Sequence, residues 1–179
     1  MQFSEFKQKF ISNRISKAQL NKVVPRYLGK DNELIVELIL ETYEPNSSPR
    51  EHNLAGWILT HYFEQYPTKY LEHEQALIKA FKLCEQSSER RSLARIIAEQ
   101  GHTEKHDESL LEFVFERIQD SNEAIAVKAH CITIGVKLVK RFGELKHEFF
   151  DILDSQLSTA SSGIQYRIKK AKTQLANYQ

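Results

Sequence analysis

The chain has 179 residues, of which 41% are hydrophobic and 27% charged, so it is long enough for one soluble domain with a real hydrophobic core. Its formal net charge of +1 argues against strong nonspecific binding to nucleic acid, because such binding depends on neutralising many phosphates. It contains only six glycines and four prolines, and so few breakers favour helices over a many-stranded sheet.

The first thirty residues predict a helical cap. Phe3, Phe6, Phe10 and Ile11 follow helical spacing, and a second short helix is expected over 17–28, ending at Gly29. Residues 1–14 lack the apolar run of a secretory signal, and no segment approaches the roughly 20 apolar residues that cross a bilayer. We therefore expect no membrane association and a cytoplasmic location.

From residue 31 onward, apolar residues recur at helical spacing in eight segments separated by short turns. The apolar residues that mark these helices run, in order, over Leu34–Ile39, Leu54–His61, Leu77–Cys84, Leu93–Ile97, Leu110–Ile118, Val127–Leu138, Leu145–Leu153 and Ile164–Leu175, with the second predicted to end near Pro67 and the sixth near Gly143. Two starts carry a capping-box pattern, Ser48 with Glu51 and Asp120 with Glu123. Connections of a few residues make neighbouring helices antiparallel, so residues 31–179 predict about four helix pairs in a single domain with the cap over 1–30.

The second helices of successive pairs can be superposed in sequence. Leu54, Leu93, Val127 and Ile168 take similar places at intervals of 39, 34 and 41 residues, which is typical of an α-solenoid. The stretch Asp120–Cys131, with an aspartate in the turn and then Val127 followed by the basic Lys128, resembles the inter-helix turn and second helix of the HEAT family. An irregular helical bundle is the alternative interpretation.

The HEAT resemblance implies an all-α protein, a right-handed α-α superhelix of about four antiparallel helix pairs plus N-terminal helices. It also implies a scaffold rather than an enzyme, because stacked pairs present a long continuous surface. Second helices line the concave side of such a stack, and five of their basic residues predict a groove for a protein with an acidic surface: Arg91, Arg95, Lys128, Arg167 and Lys170. Nearby acids such as Glu89, Glu99 and Glu123 favour the alternative, an ordinary solvated face.

A nucleic-acid function is the second hypothesis. The chain is also similar to bacterial DNA glycosylases built from HEAT-like repeats, whose concave face is strongly basic and carries aromatic residues beside an essential carboxylate. Here the total charge is nearly neutral and Trp57 falls on a predicted core face, so DNA binding is possible but not favoured.

Other candidate sites are weak. His102 and His106 share the only ligand-rich stretch, which follows Gly101 and predicts a polar loop rather than a metal site. Cys84 and Cys131 lie in apolar helical runs and predict reduced core thiols. Because no nucleophile, acid/base or phosphate-binding motif is assembled, the sequence predicts no catalytic residues, no cofactor and no metal.

Overall fold

A computed structural model describes residues 1–13, 15–100, 108–176 and 178. The structure is 81% helical, and those ranges contain no β-strand, which confirms the all-α prediction. Contacts between Cα atoms divide the chain into two compact units, residues 1–100 and 101–179. We call them the N-terminal and the C-terminal unit and describe each by itself. Whether the two units form the single domain expected from the sequence stays a prediction.

The described residues of the N-terminal unit form six α-helices. They are α1 (Phe3–Phe6), α2 (Lys17–Val23), α3 (Asn32–Glu41), α4 (Pro49–Gln65), α5 (Tyr70–Leu83) and α6 (Ser87–Gln100), with π-helical turns extending α1 over Lys7–Ile11 and α2 over Val24–Leu28. Helices α3 and α4 form one pair and α5 and α6 the next, while α3 also packs on α5 and α4 on α6. The two pairs therefore stack as repeats do, and the N-terminal helices pack on α4.

Local sequence explains why α4 begins where it does. The Ser48 hydroxyl accepts the backbone N–H of Glu51, the Glu51 carboxylate accepts the N–H of Ser48, and Pro49 occupies the first helical position. This confirms the predicted capping box. The helix then buries Tyr62 and Phe63 completely, so the aromatic concentration here belongs largely to the core.

The described residues of the C-terminal unit form four α-helices, namely α7 (Glu108–Gln119), α8 (Ile125–Arg141), α9 (Lys146–Gln156) and α10 (Ser162–Ala176). Helices α7 and α8 form a pair, as do α9 and α10; α7 also packs on α9 and α8 on α10. The unit is thus two layers, α7 with α9 and α8 with α10. The layers approach closely at Gly135, where an added Cβ would lie 2.7 Å from the ring of the buried Phe149.

The second predicted capping box is wrong. Helix α8 begins at Ile125, and its N-cap is Ala124, whose side chain makes no capping hydrogen bond. Asp120 instead accepts the N–H of Asn122 at 2.9 Å, in a turn closed by a bond from the N–H of Glu123 to the Asp120 carbonyl. Asp120 lies too far ahead of the helix to reach its free N–H groups.

The predicted burial of Trp57 is also wrong. Ala55, Ile58 and Leu59 are fully buried and take the core-facing positions of α4, whereas Trp57 and Leu54 are only half-buried. The indole packs against the His61 ring, with 5.1 Å between ring centroids. Trp57 therefore lies at the edge of the core and lines a shallow surface depression.

Candidate interaction surface

The second helices of the C-terminal unit have an unbalanced charge. Helices α8 and α10 each carry four lysines or arginines, and their sequences contain no aspartate or glutamate. The other layer is acidic, since α7 carries Glu112 and Glu116 and α9 carries Glu148, Asp151 and Asp154, against one basic residue in each helix. The unit therefore separates its charges by layer, with the cations on the α8 and α10 side.

Two of the predicted binding residues lie together on α10. Arg167 and Lys170 are both exposed, and their spacing of three places them on one side of the helix. The Arg167 guanidinium donates to the hydroxyl of Thr133 on α8 at 3.3 Å, so this side of α10 adjoins the face of α8 that contains Thr133. We call Thr133, Arg167 and Lys170 the basic face.

Lys128 lies on another side of α8. It is half-buried, and its Nζ is 3.5 Å from the side-chain oxygen of Gln156 at the end of α9. Five residues separate it from Thr133, which on an α-helix is a rotation of about 140°. The structure thus places Lys128 within the same unit as the basic face but turned away from it.

The two predicted residues of the N-terminal unit differ in their surroundings. Arg91 is exposed on α6. Arg95 is also exposed, but it donates to Glu99 at 2.8 Å on its own helix and to Glu64 at 2.7 Å on α4. Hydrogen bonding to Glu99 and the charge of both acids raise the pKa of the Arg95 guanidinium. Two carboxylates therefore offset the charge of Arg95.

Two further cations of α8 and α10 were not among the five predicted residues. Lys169 is exposed on α10, but it lies about 160° around the helix from Arg167 and so outside the basic face. Lys140 on α8 lies with its ammonium 5.4 Å from the ring centroid of Tyr178. The amino-acid sequence carries a signal that would have found both lysines, because the segments that form α8 and α10 contain no acidic residue. Lys172, by contrast, pairs with Asp154 of α9.

The remaining candidates of the sequence analysis are the ligand-rich stretch and the two cysteines. The ligand-rich stretch 102–107 lies outside the described residues, and the described part of the chain holds no group of three or more His, Cys, Asp or Glu side chains that could bind a metal. Cys84 and Cys131 are buried and not disulfide-bonded. Among the helices as far as they are described, none is long and apolar enough to cross a membrane.

Comparison with known proteins agrees with this architecture. A family model described as a HEAT repeat domain matches residues 8–175. Searches of curated proteins and of solved structures each found no match. Because the match covers nearly the whole chain and the helices of each unit pack as stacked pairs, the protein belongs to the HEAT repeat family.

Proposed function

We propose that this protein is a non-enzymatic interaction module, and that the basic face of its C-terminal unit binds an acidic segment of a protein partner. HEAT repeats generally mediate protein interactions, which supports the first part. The observation that carries the second part is the absence of acidic residues from α8 and α10, which pack side by side. Such a surface attracts carboxylates, because neither helix contributes an acid of its own that would repel them.

The five basic residues predicted from the sequence do not contribute equally. Arg167 and Lys170 are exposed and adjacent, and they supply most of the attraction. Lys128 is turned away from them and contributes less. Arg91 and Arg95 belong to the N-terminal unit and lie outside the basic face, and Glu64 and Glu99 already offset the charge of Arg95. The attraction is between exposed charges, so it weakens as salt rises.

A binding titration tests the proposal. The probe is a labelled peptide of about 15 residues rich in Glu and Asp, followed by fluorescence anisotropy at low salt. The double variant Arg167→Gln/Lys170→Gln is expected to weaken binding about three- to tenfold, since each exposed pair contributes under about 1 kcal/mol. The matched control is Lys17→Gln/Lys22→Gln, which removes two exposed cations from α2 of the N-terminal unit.

The two double variants and a DNA probe distinguish the basic face from a general charge effect and from nucleic-acid binding. An equal loss in both double variants would mean that only the net charge matters, and the basic face would be rejected. Duplex DNA serves as the competing probe. If DNA bound more tightly than the acidic peptide and lost affinity in the Arg167→Gln/Lys170→Gln variant, the partner would be a nucleic acid instead.

A further inference from the structure

The acidic layer of the C-terminal unit contains a cleft of about 530 Å³, between α7, α9 and the turn that precedes α9. Its apolar lining consists of Leu111, Phe115, Phe142, Leu145 and Ile152. Phe142 and Leu145 are half-buried, so they present apolar surface to whatever enters. The size falls within the range of sites that accept small ligands or anchoring side chains.

Four glutamates also line the cleft, and they are arranged in two pairs. Glu112 and Glu116 lie on α7, while Glu144, in the short turn Gly143–Leu145, and Glu148 lie along α9. Glu112 and Glu116 are four residues apart on one α-helix, which corresponds to about 6 Å along its axis. Glu144 and Glu148 are also four residues apart, across the turn that leads into α9. All four are exposed. The cleft therefore has an apolar interior between two pairs of carboxylates.

Three basic residues lie near this lining but do not cancel the negative charge of the four glutamates. Arg117 lies 3.7 Å from Glu116, but its guanidinium also pairs with Asp120 at 3.1 Å and lies 3.8 Å from Glu123, so its charge is shared among three acids. Arg141 stacks on the Phe142 ring, 5.5 Å from the centroid. Lys146, next to Leu145, donates to the carbonyl of Tyr178 at 3.3 Å. The carboxylates still outnumber the cations that touch the lining.

We propose that this cleft docks a basic amphipathic helix of a protein partner, whose apolar side chains enter the cleft while lysines or arginines on both flanks meet the two glutamate pairs. A helix with apolar residues at i, i+3, i+4 and i+7 has such a stripe, and basic residues beside it repeat with the spacing of the glutamates. Charge complementarity selects this occupant, because an acidic helix would face four carboxylates. The proposal concerns a different surface and an opposite charge from the basic face, so each can fail separately.

The test uses the full chain and a labelled synthetic peptide of about 16 residues built from Leu, Lys and Ala, with Leu on one face and Lys on both flanks. Saturable binding is expected at low salt. The double variant Glu112→Gln/Glu148→Gln, one change on each wall, is expected to weaken binding about fivefold or more. The matched control, Glu33→Gln/Glu37→Gln, removes two exposed carboxylates from α3 and is expected to leave the affinity unchanged.

A second peptide separates docking from general attraction. It keeps the lysines and replaces each leucine with alanine, and it is expected to bind at least about tenfold more weakly because the apolar contact is lost. Equal binding of the two peptides would overturn the proposal, as would an equal loss in the control variant or no saturable binding of the leucine peptide. Because the glutamates are exposed, the variants are expected to keep the wild-type melting temperature, which circular dichroism checks.

Discussion

The imidazole of His52 on α4 is held between two acceptors. Its Nδ1 lies 2.8 Å from a carboxylate oxygen of Glu89 on α6, and its Nε2 lies 2.8 Å from the carbonyl oxygen of Glu44. Both side chains are buried. Because a neutral imidazole donates from only one nitrogen, the two bonds are satisfied together by the protonated ring beside an ionised Glu89 carboxylate. Through these two bonds the buried His52 ring joins α4 to Glu89 of α6 and to Glu44 in the segment after α3.

This pair predicts a loss of stability as pH rises. Burial lowers the pKa of His52, but the hydrogen bonds to Glu89 and to the Glu44 carbonyl raise it, and the pKa ends above its ordinary value of 6.5. A pKa that is higher in the folded state adds stability below about 6.5, and that contribution disappears as pH rises through the folded pKa. Urea denaturation is expected to show that His52→Gln destabilises the protein more at about pH 6 than at about pH 9.

His147→Gln is the control for that measurement, because His147 is exposed on α9. It is expected to leave the free energy of unfolding close to wild type at both pH values. If the cost of His52→Gln were the same at both, the ring would not be gaining its proton on folding, and the charged pair would be contradicted.

The cap of α4 predicts an effect on both stability and titration. Ser48→Ala is expected to lower the free energy of unfolding by about 1 kcal/mol, because it removes the acceptor of the Glu51 N–H. Hydrogen bonds from the backbone and hydroxyl of Ser48 lower the pKa of Glu51 from 4.5 to about 2. Stability contributed by Glu51 is therefore present above pH 4.5 and lost as pH falls towards 2.

Carbon-detected NMR of the Glu51 carboxyl measures this directly. The midpoint is expected well below 4.5 in the wild type and higher in Ser48→Ala. The backbone N–H of residue 48 is kept in the variant, so the same midpoint in both proteins would mean that the Ser48 hydroxyl does not bond to the carboxylate in solution.

Packing between α8 and α9 predicts that Gly135 tolerates no side chain. A Cβ there would lie 2.7 Å from two atoms of the Phe149 ring, which is buried and stacked on Phe115 at 5.3 Å between centroids. Overpacking costs about 1–3 kcal/mol, which outweighs the gain of up to about 1 kcal/mol from replacing a helical glycine with alanine. Gly135→Ala is therefore expected to lower the melting temperature.

The control for this change is Gly163→Ala in the first turn of α10. A Cβ there would meet nothing within 4 Å, so only the helix propensity changes and the melting temperature is expected to stay or rise slightly. Equal melting temperatures for the Gly135→Ala variant and the wild type would show that the Phe149 ring moves aside freely.

The ion pairs of Arg95 predict that it matters little for acidic partners. Arg95→Gln is expected to change the affinity for the acidic peptide by less than about twofold, because its charge already interacts with Glu64 and Glu99. Arg167→Gln is expected to have a larger effect. Anisotropy titrations of the two single variants compare them, and the opposite order would place the binding surface on the N-terminal unit.

Sequence patterns predicted correctly those features of the fold that depend on residues close together in the chain. The cap at Ser48 and the paired helices follow from local propensity and apolar spacing, and both were confirmed. The cap at Asp120 failed because the pattern fixes a spacing but not the residue at which the helix starts. The burial of Trp57 failed because a stripe of four residues does not show which of them faces the neighbouring helix.

The candidate surface required contacts that sequence spacing does not give. Glu64 neutralises Arg95 from 31 residues away, and Thr133 meets Arg167 from 34 residues away. Lys128 was grouped with Arg167 by its place in the repeat, yet its direction around α8 differs. A repeat pattern identifies equivalent positions along the chain, whereas the direction of a side chain depends on how each helix is rotated against its neighbours.

The separation of charge between the two layers of the C-terminal unit gives that unit a permanent dipole moment across its layers, directed from the α7 and α9 side to the α8 and α10 side. A charged molecule in solution experiences this dipole before any contact forms, at distances up to about the Debye length of 10 Å at 0.1 M salt. Acidic and basic molecules are consequently attracted to opposite sides of the unit during approach. The near-zero net charge of the whole chain conceals this, because the opposite charges cancel in the sum but not in space.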